Sequence, residues 1–234
     1  MAKVLVTGSN KGIGLELVKQ LKARGDEVIA VCRQSSPELD ALGVEVITEV
    51  DQGDDASVAR FAAKMKGKKL DVVINNAAIG EFGGVATLKA DTYVDGGIGT
   101  ALDVASIQRQ FNVNSVGPLR ITQALLPCLS KGGKVAFVSS RAGSIGDNGS
   151  GGLYGYRMSK AALNMAAVSL TRDLAPEGIS VAILHPGFIR TGMTKGAGND
   201  DPPVAAKGLI ARIDELTPET SGTFWHANGE KLPW

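Results

Sequence analysis

The sequence predicts an α/β fold, one open parallel β-sheet of about seven strands wound on both faces by helices. Three observations predict it. Short β-branched runs alternate with helix-favouring stretches almost from end to end. Several strand-like runs are apolar at every position instead of every second one, the pattern of parallel strands covered on both faces. Neither an internal repeat nor a low-complexity linker divides the chain, so 1–234 reads as a single domain.

Strands are expected at 4–7, 27–32, 44–49, 70–75, 134–139, 179–185 and 223–226. Helices are expected at 12–23, 55–65, 104–129, 156–175 and 204–216. Pro118 falls inside the third helix and should bend it or start it anew, because proline has no N–H and crowds the preceding turn. Two stretches break the alternation. Residues 80–103 hold six glycines and little apolar periodicity, so a loop excursion is expected there. Residues 192–203 are rich in Gly, Asp and Pro and follow a strand's carboxyl end, which suits either a mobile cover over a ligand or a plain surface loop.

Composition narrows the function classes. Formal net charge is +1 with acids and bases intermixed, so nucleic acid and anionic membranes are poor partners. The first strand begins so early that no room is left for a signal peptide, and no apolar run spans a bilayer; a cytoplasmic protein is expected. Cys32 and Cys128 have no metal-type spacing and read as packing residues of a reduced protein without structural metal. Two histidines leave little material for a His-based zinc site or a Ser-His-Asp triad. His185, Phe224, Trp225 and Trp234 read as packing residues.

The first strand runs into Thr7-Gly8-Ser9-Asn10-Lys11-Gly12-Ile13-Gly14, which opens a helix. Glycines at 8, 12 and 14 allow a tight turn and bring backbone close to a pyrophosphate, while helix-start N–H groups face the anion. A dinucleotide site of the NAD type commonly carries an acid about 20 residues further on, for the ribose 2′-hydroxyl. Here strand two ends in Val31-Cys32-Arg33, and Lys11 adds a second cation in the loop. Two cations welcome a 2′-phosphate that an acid would repel, so NADP(H) is expected over NAD(H). Glu38 and Asp40 follow closely and are the acids that would oppose this. Asp51, just past strand three, suits either the adenine amino group or a helix cap.

Tyr156 and Lys160 stand four residues apart at the head of a helical run, on one face and one turn from each other. A phenol exchanges protons poorly at neutral pH because its ordinary pKa is about 10. A neighbouring ammonium favours the phenolate and moves that value toward the working range. The pair is thus fitted to give a proton to a bound oxygen or take one from it.

In this order and spacing, Thr7-Gly8-x3-Gly12-Ile13-Gly14, Asn75-Asn76-Ala77-Ala78, Asn112-Val113-Asn114, Ser139-Ser140, Tyr156-x3-Lys160 and Pro186-Gly187 resemble the short-chain dehydrogenases/reductases over nearly the full length. The run Ser140-Arg141-Ala142-Gly143-Ser144-Ile145-Gly146-Asp147-Asn148, then Gly151-Gly152-x-Tyr154-Gly155-Tyr156-Arg157, is similar to the C-factor/sniffer type of carbonyl reductase. The ending Asn228-Gly229-x3-Pro233-Trp234 fits that subgroup. The resemblance implies a Rossmann-type sheet, with a nucleotide-binding half at roughly 1–110 and a catalytic half at roughly 111–234.

It also implies roles. Tyr156 is the general acid in carbonyl reduction and the base in reverse. Lys160 lowers its pKa and holds the nicotinamide ribose. Ser140 stabilises the substrate oxygen, and Asn114 holds water linking Lys160 to solvent. Gly8, Asn10, Lys11, Gly12, Ile13, Gly14, Arg33, Asp51, Asn75, Asn76 and Ala77 border the dinucleotide, as do Pro186, Gly187, Ile189 and Thr191 at the nicotinamide. Substrates are small carbonyl or alcohol compounds. A homodimer or homotetramer through the long helices is the family habit, one the subgroup need not follow.

Alternatives stand beside these assignments. Tyr154 competes with Tyr156, but position 158 is Met, so Tyr154 has no lysine one turn on. Ser139 competes with Ser140, and Ala78 stands where glycine is more usual. Arg141 and Arg157 flank the site as selectors of an acidic substrate or as structural cations. A C-factor-like NADP(H)-binding regulator with little turnover is the rival function. Sugar-nucleotide epimerase or dehydratase chemistry also uses Tyr-x3-Lys, with a larger C-terminal domain than this sequence carries.

Overall fold

A computed structural model describes residues 1–81 and 102–234. Among them, β1 (Lys3–Thr7), β2 (Glu27–Val31), β3 (Glu45–Ile47), β4 (Leu70–Asn75), β5 (Leu129–Val138), β6 (Ser180–His185) and β7 (Phe224–His226) form one sheet. Its order is β3-β2-β1-β4-β5-β6-β7, and every neighbouring pair is parallel. This is the Rossmann-like α/β architecture. The order reverses between β1 and β4, and the crevice beyond their carboxyl ends is where such sheets bind ligands.

Alternate side chains of each strand enter two separate cores. On one face Val4, Val6, Val28, Ile74, Ala136 and Leu184 meet α1 (Gly12–Ala23) and α7 (Pro202–Asp214) through Leu17, Leu21 and Leu209. On the other, Leu5, Ile29, Val73, Phe137 and Val181 meet α3 (Asp55–Met65), α5 (Gly117–Leu125) and α6 (Tyr154–Leu174) through Phe61, Ile121 and Leu163. Burial on both faces explains the unbroken apolar runs. No described helix is long and apolar enough to cross a membrane.

The expected helix over 104–129 is divided. α4 (Val104–Phe111) passes into a π-helical turn, Asn112–Val116, before α5 and a 3-10 turn at Leu126–Cys128. Pro118 sits in the first turn of α5, where its missing N–H costs little. Leu129 then already belongs to β5, which starts well before the expected 134 and shifts register between Leu70 and Val72 of β4. A short α2 (Pro37–Asp40), capped by the Ser36 side chain, lay below the length at which periodicity can be read. Pro202 and Pro203, expected in the loop over 192–203, open α7 instead, with proline in its favoured first turn. Of the excursion over 80–103, residues 82–101 lie outside the described residues.

Phe137 is fully enclosed near the carboxyl end of β5. Phe137→Ala is expected to lose about 3–5 kcal/mol of stability, read from the urea midpoint at unchanged slope.

Candidate active site

The glycine loop is shaped by contacts a side chain would block. A Cβ on Gly8 (φ +66) would lie 2.7 Å from the Ala77 Cα, and one on Gly14 would lie 2.1 Å from the Gly8 carbonyl oxygen. Gly12 (φ +56) faces Thr191, whose Cγ2 would stand 3.6 Å away, so this loop and the chain after β6 border one cleft. Lys11, the N-cap of α1, makes no side-chain capping bond, which leaves the first N–H groups of the helix facing the cleft for an anion. Arg33, exposed at the end of β2, adds a cation. Asp40 is occupied by the Ser35 hydroxyl at 2.5 Å.

Asn76 and Asn75 divide their expected role. Asn76 Nδ2 donates to the carbonyls of Thr7 and Gly8 at 2.9 and 3.2 Å, and the Thr7 hydroxyl accepts from the N–H groups of Asn76 and Ala77. Asn76 is thus a strut bracing the glycine loop against the end of β4. Asn75 does not reach the cleft with its side chain. It is buried, its Nδ2 donates to Thr122 Oγ1 at 3.1 Å, and its Oδ1 has no partner. Strand alternation turns this side chain toward α5, away from that of Asn76. Asp51 Oδ1 accepts from the Gly53 N–H at 2.8 Å, and Asp54 is the residue that caps α3. Gln52 was missed by sequence reading: its side chain is buried, and its Nε2 donates to the carbonyls of Ala77 and Val113, tying the loop after β4 to the π-helical turn.

At the head of α6, Ser140, Tyr156 and Lys160 come together. The Ser140 side chain hydrogen-bonds Tyr156 and accepts from the Ala142 N–H at 3.1 Å. Ser139 points the other way, its Oγ 2.5 Å from Asn164 Oδ1 in the core. Lys160 is 2% exposed; its Nζ donates to the Val138 carbonyl at 2.9 Å and lies 5.8 Å from the Tyr156 ring centroid. Burial pushes this amine down to about 8. Tyr156 is half-buried as a residue, with its hydroxyl end deep in the site. Burial raises the phenol, and the bond with Ser140 opposes that rise. Desolvation therefore outweighs the Ser140 bond, and the downward pull expected from Lys160 is not among the causes of the shift.

Asn114 occupies the π-helical turn and is buried. Its amide pairs twice with the Ile79 backbone, both bonds 2.8 Å, and donates to Ser159 Oγ at 3.1 Å. Ser159 Oγ in turn donates to the Tyr156 carbonyl at 2.8 Å. The side chain thus braces the turn against α6, and Pro118 lacks the N–H that would bond the Asn114 carbonyl in an uninterrupted helix. Ser159 was passed over in the sequence; its place between Tyr156 and Lys160 was the available signal.

Around this centre the groups are spoken for. Arg141 pairs with Glu230 at 3.0 Å and Asp147 at 3.2 Å, and Arg157 holds the Ser150 hydroxyl and the Gly151 carbonyl. His185 stacks edge-on against His226 at 4.9 Å; burial first, then nearby His226, Arg141 and Lys160, push it down to about 3. After Pro186, Gly187 (φ +100) turns the chain toward buried Ile189. Residues 188–200 close on themselves, the Phe188 carbonyl accepting from the Asn199 N–H at 2.7 Å. Among the described residues no group of three or more His, Cys, Asp or Glu could hold a metal.

A sequence profile of the short chain dehydrogenases matches residues 2–202. The chain belongs to that family and is an oxidoreductase of it. It is 42% identical over 240 aligned positions, all of both chains, to 1-hydroxy-2-glutathionyl-2-methyl-3-butene dehydrogenase of Rhodococcus sp.. It is 41% identical to the C-signal protein of Myxococcus xanthus, over 74% of this chain and 98% of that one. The NADPH-bound carbonyl reductase from chicken fatty liver superposes with a TM-score of 0.83 at 27% identity, over 100% of this chain and 99% of that one. The C-factor and carbonyl-reductase resemblance is thereby borne out.

Burial of Lys160 has a measurable signature. Between pH 8 and 10.5 the unfolded chain keeps a proton that the folded one has released, so stability rises with pH across that window. In the cofactor-free protein, Lys160→Met should flatten this rise by about 3 kcal/mol relative to the unaltered chain, measured by denaturant unfolding at both ends of the window.

Proposed function

We propose that this protein is an NADPH-dependent carbonyl reductase in which Tyr156 exchanges the proton at the substrate oxygen. One observation carries the reading: the Ser140–Tyr156 hydrogen bond stands beside a buried lysine ammonium at the cleft that the glycine loop enters. The loop's fit to a dinucleotide rests on its tight turn, held by glycines 8 and 14 whose Cβ atoms would collide with neighbouring protein atoms, and on the uncapped start of α1. Gly8, Asn10, Lys11, Gly12, Ile13 and Gly14 would hold the pyrophosphate, with Arg33 and Lys11 at the 2′-phosphate. Asp51 would lie at the adenine, Ala77 at the ribose, and Pro186, Gly187, Ile189 and Thr191 at the nicotinamide. NADPH supplies the hydride when bound.

The residues of the chain do the rest. Ser140 donates to the carbonyl oxygen and stabilises the charge that develops there. Tyr156 gives that oxygen its proton, or takes one in alcohol oxidation. Lys160 holds a positive charge beneath the phenol and orients the ribose, while Asn114, through its main-chain carbonyl, orders water behind the lysine. Burial raises the phenol in the free protein, and the hydrogen bond with Ser140 opposes that rise. The Rhodococcus relative makes a hydroxylated glutathione conjugate a rational member of the substrate panel.

Similarity to the C-signal protein favours a second reading, a nucleotide-binding regulator with little turnover. Ser140, Tyr156 and Lys160 together exceed what binding alone requires. NADPH titration showing tight binding, with no turnover across diketones, quinones, aldehydes and keto esters, would select the regulator.

Tyr156→Phe is expected to reduce kcat at least about 100-fold while NADPH affinity changes little. Wild-type turnover in that variant sinks the assignment of the acid. Arg33→Ala should narrow the preference for NADPH over NADH by about tenfold, read as the ratio of kcat/KM values. A native preference for NADH would refute the assigned role of Arg33 and Lys11.

A further inference from the structure

We propose that residues 226–234 form a clamp holding the Ser140 loop in its working geometry, with Glu230 and Trp234 as positioning residues. The inference rests on the reading above that Ser140 and Tyr156 act on one oxygen.

After β7 the chain doubles back on itself. The Asn228 N–H donates to His226 Nδ1 at 3.0 Å, and the Glu230 N–H donates to Asn228 Oδ1 at 2.9 Å. His226 N–H bonds the Glu230 carbonyl at 2.8 Å, and Leu232 N–H bonds the Phe224 carbonyl at 2.9 Å. Gly229 makes the turn with φ +96. Leu232 is buried in the core under α6, and the Trp234 ring stacks on Phe224 at 5.5 Å and 16°. These bonds, the buried Leu232 and the ring stack fasten the returning segment to β7.

Its outer edge grips the loop that follows Ser140. The Gly146 N–H donates to the Trp234 carbonyl at 2.7 Å, and Arg141 Nη2 pairs with Glu230 at 3.0 Å. A Cβ at Gly146 would come within 3.1 Å of the Trp234 carbonyl oxygen, so the two backbones are in close contact. From the opposite side, Gly143 lies against the Lys160 backbone, where a Cβ would stand 2.6 Å from the carbonyl carbon. The 3-10 turn Arg141–Gly143, which Ser140 caps, is therefore pressed between α6 and the returning segment.

The ion pair is largely exposed and contributes little to stability. Its worth lies in aim, because a small displacement of a catalytic hydroxyl costs rate far more than stability. The nucleotide contacts assigned above are carried by other loops. Loosening the clamp should thus lower kcat and spare NADPH binding.

Trp234→Ala removes the stack on Phe224, and Trp234→Phe keeps an aromatic ring there. In Trp234→Ala, amide exchange over 141–147 should accelerate, and kcat should fall about tenfold with the NADPH Kd within about twofold. Trp234→Phe should restore both. Glu230→Gln should shift both in the same direction, more weakly, and decides the matter by the same criteria if Trp234→Ala does not fold. Unchanged exchange, an unchanged kcat, or a kcat loss matched by equally weakened NADPH binding overturns the proposal. If the unaltered protein reduces no carbonyl, the reading of function fails by itself, and the exchange measurement still decides whether the clamp exists.

Discussion

The structure depends on keeping the Lys160 amine inside the protein. A buried ammonium is costly, and here the cost shows as an amine pushed down to about 8. One of its protons goes to the Val138 carbonyl at the end of β5, which fastens the head of α6 to the sheet edge. The amine lies 5.8 Å from the centre of the Tyr156 ring, whose phenol hydrogen-bonds Ser140. A charge held this way stabilises negative charge nearby and attracts acceptors, so the same constraint that strains the free protein prepares it for a ligand rich in oxygen.

Around that point, polar side chains serve as struts for irregular backbone. Loops at the carboxyl edge of a parallel sheet leave peptide groups that strand pairing cannot satisfy. Asn76 takes the carbonyls of the glycine loop, Gln52 joins the chain after β4 to the π-helical turn, and Asn114 pairs with Ile79 as a strand neighbour would. Each strut is buried or half-buried, so removal of one leaves partners unsatisfied and displaces a loop that borders the cleft. The geometry of the site is set by these residues as much as by the groups that face substrate.

Legibility followed the range of the interaction. The glycine loop was readable because backbone freedom at Gly8 and close approach at Gly14 leave only one residue type acceptable. Tyr156 and Lys160 were readable because helical spacing places them together. Neighbouring pairs were harder. Asn75 and Asn76 are chemically identical, and only strand alternation against a known core shows that one enters the α5 interface while the other braces the loop. The state of the phenol was likewise out of reach, since desolvation is a property of the surroundings and a single sequence neighbour does not report it.

By itself the sequence determined the class of fold, the family, the glycine turn and the helical pairing of phenol and amine, since each rests on local geometry or fixed spacing. Tertiary structure alone decided that Ser140 rather than Ser139 meets Tyr156, that Arg141 and Arg157 are held by the protein's own groups, and that residues 226–234 come back to touch the Ser140 loop. Those outcomes depend on contacts between segments far apart in the chain, whose meeting is set by how sheet and helices pack and carries no periodic signal.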